Sequence, residues 1–507
     1  MSEREKSMES ANSSDKLRRH SERPWAVMGV MALAVLLRFF ALGKDSLWFD
    51  EVLSANISHG GLAAVFQAST TLDGMNFHPP LYHLILHFWM LVFGQSDPAL
   101  RSLSAIFGTL SVLLVYKVGT ELFDRKTGLV AALLLAVSPF AIYYSQEVRP
   151  YSLFMLLTLT SFLFFIRMLR PDRRHKADSL GYCTVNVLLL CTHAYGLFVI
   201  GSQVLYFLIF RKTYASSRRP FWIAQVLTAL VASPWIYILL RGVFQISASH
   251  GILQIEDPLA QAFSVLLTDL LGFAAGAPAS LLIPLSIALF LGGLFRLPRQ
   301  GIKILGRKPK TALLLLWFFV PLVGVVIIAL VSRTALWSKY LIGIAPAMYL
   351  IATRGMVNIG EAFRVYVAKV NVSYALLAIV ALLCLPQVLT MQVNPGREQW
   401  REVADLIDQE SLSDDVILCL GGYDTPFKYY YKGDLEVLTY GTSEDDEELA
   451  VLVERATEGN KRLWLIMMNY QGTIDAPIKG YLLARYGDTS ILLQRDFSSS
   501  SVYLFVL

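Results

Sequence analysis

The sequence predicts a polytopic α-helical membrane protein of roughly 11 spans, closed by a small α/β domain at its C-terminus. Three observations carry that prediction. Of 507 residues, 55% are hydrophobic and 16% charged, and the mean hydropathy is +0.51; soluble domains carry roughly 25% charged residues. Apolar runs of helical length alternate with short basic blocks at 16–23, 124–126, 167–176, 211–219, 296–310 and 354–369. From residue 394 onward that pattern stops, and short apolar strand-like runs alternate with charged helical stretches.

Residues 1–24 are polar and read as a disordered cytoplasmic tail. The run 25–42 follows it without a small-residue cleavage site and reads as an uncleaved first span. Cytoplasmic loops collect Lys and Arg, so an even number of spans separates consecutive basic blocks. Between Arg23 and Lys126 only 25–42 and 98–122 then cross, and HPPLYHLILHFWMLVF, 78–93, becomes an interfacial helix. Spans 127–145 and 150–168 leave YYSQEVRPY, 143–151, outside. Spans 179–193 and 196–210 place Thr192-His193-Ala194-Tyr195 at an outer turn. The pair 220–240 and 279–296 encloses a weakly apolar run, 259–275, expected as an outer loop. Spans 311–331 and 339–353 leave SRTALWSK outside, and 372–391 exits outward.

The membrane module is thus 25–393 and the C-terminal domain 394–507, extracytoplasmic by this parity. Strands are expected at 416–420, 435–439, 462–468, 490–494 and 502–506. Net charge is +5, gathered in blocks that orient helices, so no nucleic-acid partner is implied. The four cysteines show neither a disulfide framework nor zinc spacing. No phosphate-binding glycine loop, dinucleotide fingerprint or nucleophile elbow is present, which removes nucleotide-driven cytoplasmic chemistry.

Asp50 and Glu51 stand just after the first span, where ionisable groups are costly and mark function. A carboxylate there is a general-base candidate; the competing role for Asp50 is N-cap of the helix starting EVLSANI. Glu147 and Arg149 share the second outer loop, with Arg149 suited to a phosphate and Glu147 to orienting it or an acceptor. A local ion pair is the alternative. Outer cations are scarce by the same rule that made inner ones common. Arg333 and Lys339, flanking SRTALWSKY, are therefore candidate anion ligands, with snorkelling to headgroups as the plain alternative. His78, before Pro79-Pro80, and His193, beside Tyr195, complete the candidates. His78, His83 and His87 do not share the i, i+4 face of a metal pair. A divalent ion between Asp50, Glu51 and Glu147 stays open as a cofactor; nothing in the spacing calls for it.

The segments LWFDE (47–51), HPPLYHLILHFWMLVFG (78–94), 99–153 ending in SQEVRPYSL, THAYGLF (192–198) and SKYLIGIAPAMYL (338–350) resemble the bacterial protein O-mannosyltransferase-like glycosyltransferases of GT-C fold. The resemblance spans most of residues 45–200 and one later span. It implies inverting transfer of a hexosyl or pentosyl group from a polyprenyl-phosphate sugar at the periplasmic face of a bacterial inner membrane. It implies Asp50 as base, Glu51 beside it, Glu147 as the second-loop acid, and His78, Lys339 and Tyr340 near the lipid phosphate. The acceptor is a lipid, a glycan or a protein. No β-trefoil insertion is present, unlike the eukaryotic protein mannosyltransferases. Two other classes compete: a transporter or flippase of lipid-linked sugars, supported by the polytopic architecture, and a non-catalytic partner in envelope assembly. Transporters place ionisable groups near the bilayer midplane, whereas here they gather at one surface.

Overall fold

The computed structural model describes residues 24–70, 79–170, 175–248, 279–296, 303–304, 309–332, 337–363, 372–393, 398–420, 424–440, 446–458, 461–468, 475–487, 490–498 and 500–507. The expected outer loop at 259–275 lies outside them.

The first helix, α1 (Pro24–Phe39), is followed by two short helices, α2 (Phe49–His59) and α3 (Gly61–Thr70), and by α4 (Pro80–Phe93). The helix expected at 78–93 is therefore present, entered through Pro79 and Pro80, whose missing N–H groups would have no partner in a first turn. At the centre stands α5 (Asp97–Leu122), packed by α1, α4, α6 (Arg125–Val137), α7 (Pro139–Ser145) and α8 (Tyr151–Met168). The approach of α5 to α6 is close because Gly119 faces Gly128. A Cβ on Gly119 would lie 2.8 Å from the Gly128 Cα, and one on Gly128 would lie 2.4 Å from the Tyr116 carbonyl.

The span expected at 127–145 is instead two helices, α6 and α7, bent by 63° at Ser138. Pro139 cannot donate to the helix it interrupts. Ser138 Oγ accepts from Ala141 N–H at 3.2 Å, which starts α7. The carbonyls freed at the end of α6 are taken by the buried Arg38 guanidinium of α1, at 2.9 Å to Leu135 O and 3.1 Å to Ala136 O.

The remaining membrane-module helices are α9 (His175–Leu190), α10 (Gly196–Ile209), α11 (Arg218–Ala248), α12 (Ala279–Leu294), α13 (Pro309–Ser332), α14 (Ala345–Phe363) and α15 (Val372–Val393). A two-residue hairpin, β1 (Phe295–Arg296) with β2 (Lys303–Ile304), follows α12. The span expected at 339–353 starts later. Residues Ser338–Leu341 form a 3-10 turn, and α14 begins only at Ala345, with Pro346 in its first turn. Among the described residues, five helices are long and apolar enough to cross a bilayer, or six with the bent pair counted as one.

From residue 398 the chain forms an α/β unit: α16 (Trp400–Glu410), β3 (Asp415–Leu420), α17 (Asp424–Tyr430), β4 (Val437–Tyr440), α18 (Asp446–Thr457), β5 (Arg462–Met468), α19 (Asp475–Tyr486), β6 (Ile491–Asp496) and β7 (Ser500–Val506). The strand order is β4-β3-β5-β7-β6. The pairs β3–β4 and β3–β5 are parallel; β7 runs antiparallel to β5 and β6. The five expected strands are all present, within two residues at each start. Strand β3 is buried along its whole length, as a central parallel strand covered on both faces must be. One face carries Ile417, Cys419 and Trp464 against Trp400 and Phe427; the other carries Leu418 and Leu465 against Val453 and Leu482.

Candidate active site

The α2 helix begins at Phe49, with Trp48 at its N-cap position, so Asp50 and Glu51 both lie inside the first turn. Asp50 is therefore not the cap. Adjacent helical residues point about 100° apart, and the pair divides accordingly.

Glu51 turns into the protein and is fully buried. Arg101, near the start of α5, meets it with two bonds, Nε to Oε1 at 2.9 Å and Nη2 to Oε2 at 2.6 Å. The Val148 N–H donates to Oε1 at 2.9 Å and the Trp48 N–H to Oε2 at 3.3 Å. Arg101 is equally committed, donating also to the carbonyls of Leu42, Asp45 and Ser46 at 2.9, 2.7 and 2.8 Å. The Glu51 carboxylate thus ties three segments together: the loop before α2, the start of α5 and the second loop at 147–149. Sequence reading placed Glu51 among the catalytic residues; in the structure its carboxylate is buried and engaged by Arg101 and two backbone N–H groups.

Asp50 turns the other way and keeps about a fifth of its side chain exposed. Lys339 Nζ, on the 3-10 turn before α14, lies 3.2 Å from Asp50 Oδ2. Arg149 Nη2 lies 3.7 Å from the same oxygen, while Arg149 Nη1 donates to the Asp50 carbonyl at 3.3 Å and to Ser54 Oγ at 3.2 Å. One carboxylate is thus shared by two cations from loops far apart in sequence. Aromatic rings enclose the ammonium: the Trp48, Trp337, Tyr340 and Tyr151 centroids are 5.5, 5.5, 5.9 and 6.0 Å from Lys339 Nζ. Tyr144 OH and Ser338 Oγ, 2.8 Å apart, tie the Lys339 turn to α7.

His193 joins this group through its ring, 6.0 Å from Tyr340, 6.4 Å from Tyr151 and 4.9 Å from Tyr195. Its Nδ1 accepts from the Tyr195 N–H at 3.3 Å, which places the proton on Nε2. Burial, then the Arg149 and Lys339 cations, push the imidazole down to about 3. His193 therefore enters the site as a neutral ring. Glu147 is buried beneath the cleft, one residue before the Val148 N–H that holds Glu51. The structure thus brings together Asp50, Glu51, Glu147, Arg149, His193, Lys339 and Tyr340. His78 and Arg333 lie outside the described residues.

Among the described residues no group of three His, Cys, Asp or Glu side chains is placed to hold a metal ion. His83 and His87 of α4 serve local packing, their Nδ1 atoms 3.1 Å from Pro79 O and 2.8 Å from Ser58 O.

Sequence reading missed Arg101 as a site residue, although an arginine buried at a span end demands a carboxylate partner. It also missed Trp48 and Tyr151, whose types are common at interfaces and gave no signal.

Residues 77–238 match the model of the dolichyl-phosphate-mannose-protein mannosyltransferase family. The fold is shared with ArnT from Cupriavidus metallidurans in the apo state, at TM-score 0.58 and 14% identity over 94% of this chain and 97% of that one. The same protein bound to undecaprenyl phosphate matches at TM-score 0.51 and 16% identity over the same shares of the two chains. The oligosaccharyltransferase of Archaeoglobus fulgidus tethered to an acceptor peptide matches at TM-score 0.54 and 12% identity, over 88% of this chain and 69% of that one. No curated protein matches the sequence. The resemblance to GT-C glycosyltransferases read from the motifs thus extends to the fold of nearly the whole chain.

Proposed function

We propose that this chain, built on the fold of the polyprenyl-phosphate-dependent GT-C glycosyltransferases, transfers a sugar from a polyprenyl-phosphate donor to an acceptor hydroxyl with inversion. One observation carries the proposal. A partly exposed carboxylate, Asp50, is bound by two cations, Lys339 and Arg149, that converge from separate loops. Such a cluster offers both groups the reaction needs: a base for the acceptor and cations for a departing phosphate.

In the proposed reaction the acceptor oxygen forms a bond to the anomeric carbon while the bond from that carbon to the phosphate oxygen breaks. The acceptor proton passes to Asp50. The pair of electrons leaves with the lipid phosphate, a stable anion that needs no strong acid. Lys339 and Arg149 hold that anion in line, with Tyr340 and the neutral His193 as uncharged donors beside it. His78 and Arg333 remain candidates for the same anion. Both cations contact Asp50, so the donor phosphate would compete for them and free the carboxylate to take the acceptor proton. Transfer of a hexosyl or a pentosyl group is compatible with this site, and the acceptor class is a lipid, a glycan or a protein. The undecaprenyl phosphate held by the ArnT structure and the acceptor peptide tethered to the archaeal enzyme support a lipid donor and a separate acceptor.

Arg149→Ala and Lys339→Ala are each expected to weaken binding of undecaprenyl phosphate by about 1.5–3 kcal/mol, the worth of one charge-assisted contact. The double variant should lose less than the sum, because both cations serve one anion. Titration of purified variants with the lipid checks this; full additivity would assign the two residues to different ligands.

We place the site at the periplasmic face of a bacterial inner membrane, with 25–393 as the catalytic membrane module and 394–507 outside the cytoplasm. The basic blocks support this orientation. In a cysteine-free background, cysteine at the exposed Asp434 should react with an impermeant thiol reagent in intact cells, and cysteine at the exposed Lys212 should not. The reverse labelling would put Asp50 in the cytoplasm.

A further inference from the structure

The backbone that leads from α1 into α2 is held from two sides. Arg101 of α5 takes the carbonyls of Leu42, Asp45 and Ser46. The C-terminal domain takes much of what those bonds leave over. The Leu47 N–H donates to Tyr430 OH at 2.6 Å, and Tyr430 OH donates to Asp97 Oδ2 at 2.8 Å. A hydroxyl carries one proton and two lone pairs, so Tyr430, the last residue of α17, accepts from the loop and donates to α5. Arg401 of α16 forms an ion pair with the same Asp97 oxygen and reaches the Gly43 carbonyl at 3.4 Å. Its guanidinium lies 5.7 Å from the centre of the Tyr430 ring.

The grip is reciprocal. The first N–H groups of a helix have no acceptor within it, and a side chain at the N-cap normally supplies one. Gln399, at the N-cap position of α16, makes no such bond. Ser46 Oγ supplies the acceptor from 355 residues earlier in the chain, taking the Arg401 N–H at 2.9 Å while it donates to Glu402 Oε2 at 3.1 Å. Ser46 and Leu47 are fully buried, so a polar group there that loses its partner has no water to turn to. The site begins at the next residue. The Trp48 ring lies 5.5 Å from Lys339 Nζ, and Asp50 Oδ2 lies 3.2 Å from the same atom.

We propose that Tyr430 is a positioning residue for Asp50, holding segment 43–48 together with Arg401 and Glu402, and that through these bonds the C-terminal domain is a working part of the active site. The proposal rests on the transferase reading for its effect on turnover; the hold on the segment stands apart from that reading.

The test uses the full chain in nanodiscs, supplied with lipid-linked sugars and an acceptor fraction from the producing cells. Tyr430→Phe removes one hydroxyl and is expected to lower kcat by about tenfold or more, since small misplacements of a catalytic group are costly. Binding of undecaprenyl phosphate should stay near wild type, because Lys339 and Arg149 are untouched. Amide exchange of a peptide covering 43–52 should accelerate, while β3 and β5 stay protected. Ser46→Ala, which breaks the grip from the membrane-module side, should act in the same direction and serves alone if the phenylalanine variant does not fold. Tyr431→Phe is the control: that hydroxyl accepts the Leu435 N–H within the domain, at 3.3 Å, so turnover and exchange at 43–52 should stay at wild type. Wild-type turnover and exchange in both Tyr430→Phe and Ser46→Ala would overturn the proposal. A loss of turnover in Tyr430→Phe with exchange unchanged would overturn it too, assigning the hydroxyl to the chemistry itself. So would an equal loss in Tyr431→Phe, which would make the effect one of general domain stability. If the wild-type protein transfers no sugar, the transferase reading fails on its own, and amide exchange still decides whether the domain holds the segment.

Discussion

Asp50→Asn is expected to lose transfer by about 10²–10⁴-fold, the usual worth of a positioned general base, while binding undecaprenyl phosphate more tightly than the wild type. The two effects have one cause. Asp50 is the resting partner of both Lys339, at 3.2 Å, and Arg149, at 3.7 Å, so it competes with the lipid phosphate for them. Asparagine removes that competing charge and keeps the shape. Relief of even one such contact, about 1.4 kcal/mol, is a tenfold gain in affinity. Lipid titration and a transfer assay on the same preparation read both signs. Weaker binding in the asparagine variant would mean that Asp50 helps to hold the donor, and the exchange of cations would be wrong.

Glu51→Gln is expected to act on stability first. It replaces the carboxylate paired with Arg101, 2% exposed, by an uncharged amide, leaving that buried cation with the carbonyls of Leu42, Asp45 and Ser46 and the more distant Asp97 carboxylate. Removing one partner of a buried ion pair costs about 3–5 kcal/mol, because the charge left behind keeps its desolvation penalty. The Val148 and Trp48 N–H groups also lose a charged acceptor. Thermal unfolding in detergent should therefore show a marked fall in Tm for Glu51→Gln and little change for Asp50→Asn. Equal Tm values for the two variants would return Glu51 to the cleft as a catalytic partner of Asp50.

That contrast shows what a linear reading holds and what it lacks. The acidic pair after the first span and the lysine of SKY were both readable as functional, because charge beside a bilayer is costly and outer cations are few. Which of two adjacent carboxylates faces the cleft was not, since it depends on the helix starting at Phe49 and not at Glu51. Arg101 lies near the start of an apolar span, yet its partner lies 50 residues away and only packing joins them. Pro139 carried a usable signal for the bend in the third apolar segment, and Pro346 one for the late start of α14. The strands of the C-terminal domain were legible to within a few residues from their apolar runs. Its grip on the α2 start was not. Arg401, which meets Ser46 and Asp97, sits in a polar stretch, REQWRE, where no pattern separates it from its neighbours.

The most direct test of the central claim is release of polyprenyl phosphate. Purified protein in liposomes is supplied with lipid-linked sugars extracted from the producing membrane and with an acceptor fraction from the same cells, and lipid products are followed by mass spectrometry. The account predicts free polyprenyl phosphate and a glycosylated acceptor with the wild-type chain, and neither with Asp50→Asn, although that variant still binds the lipid. Movement of the intact lipid-linked sugar across the bilayer, equal in both proteins and without cleavage for any acceptor, would contradict it and make the chain a transporter.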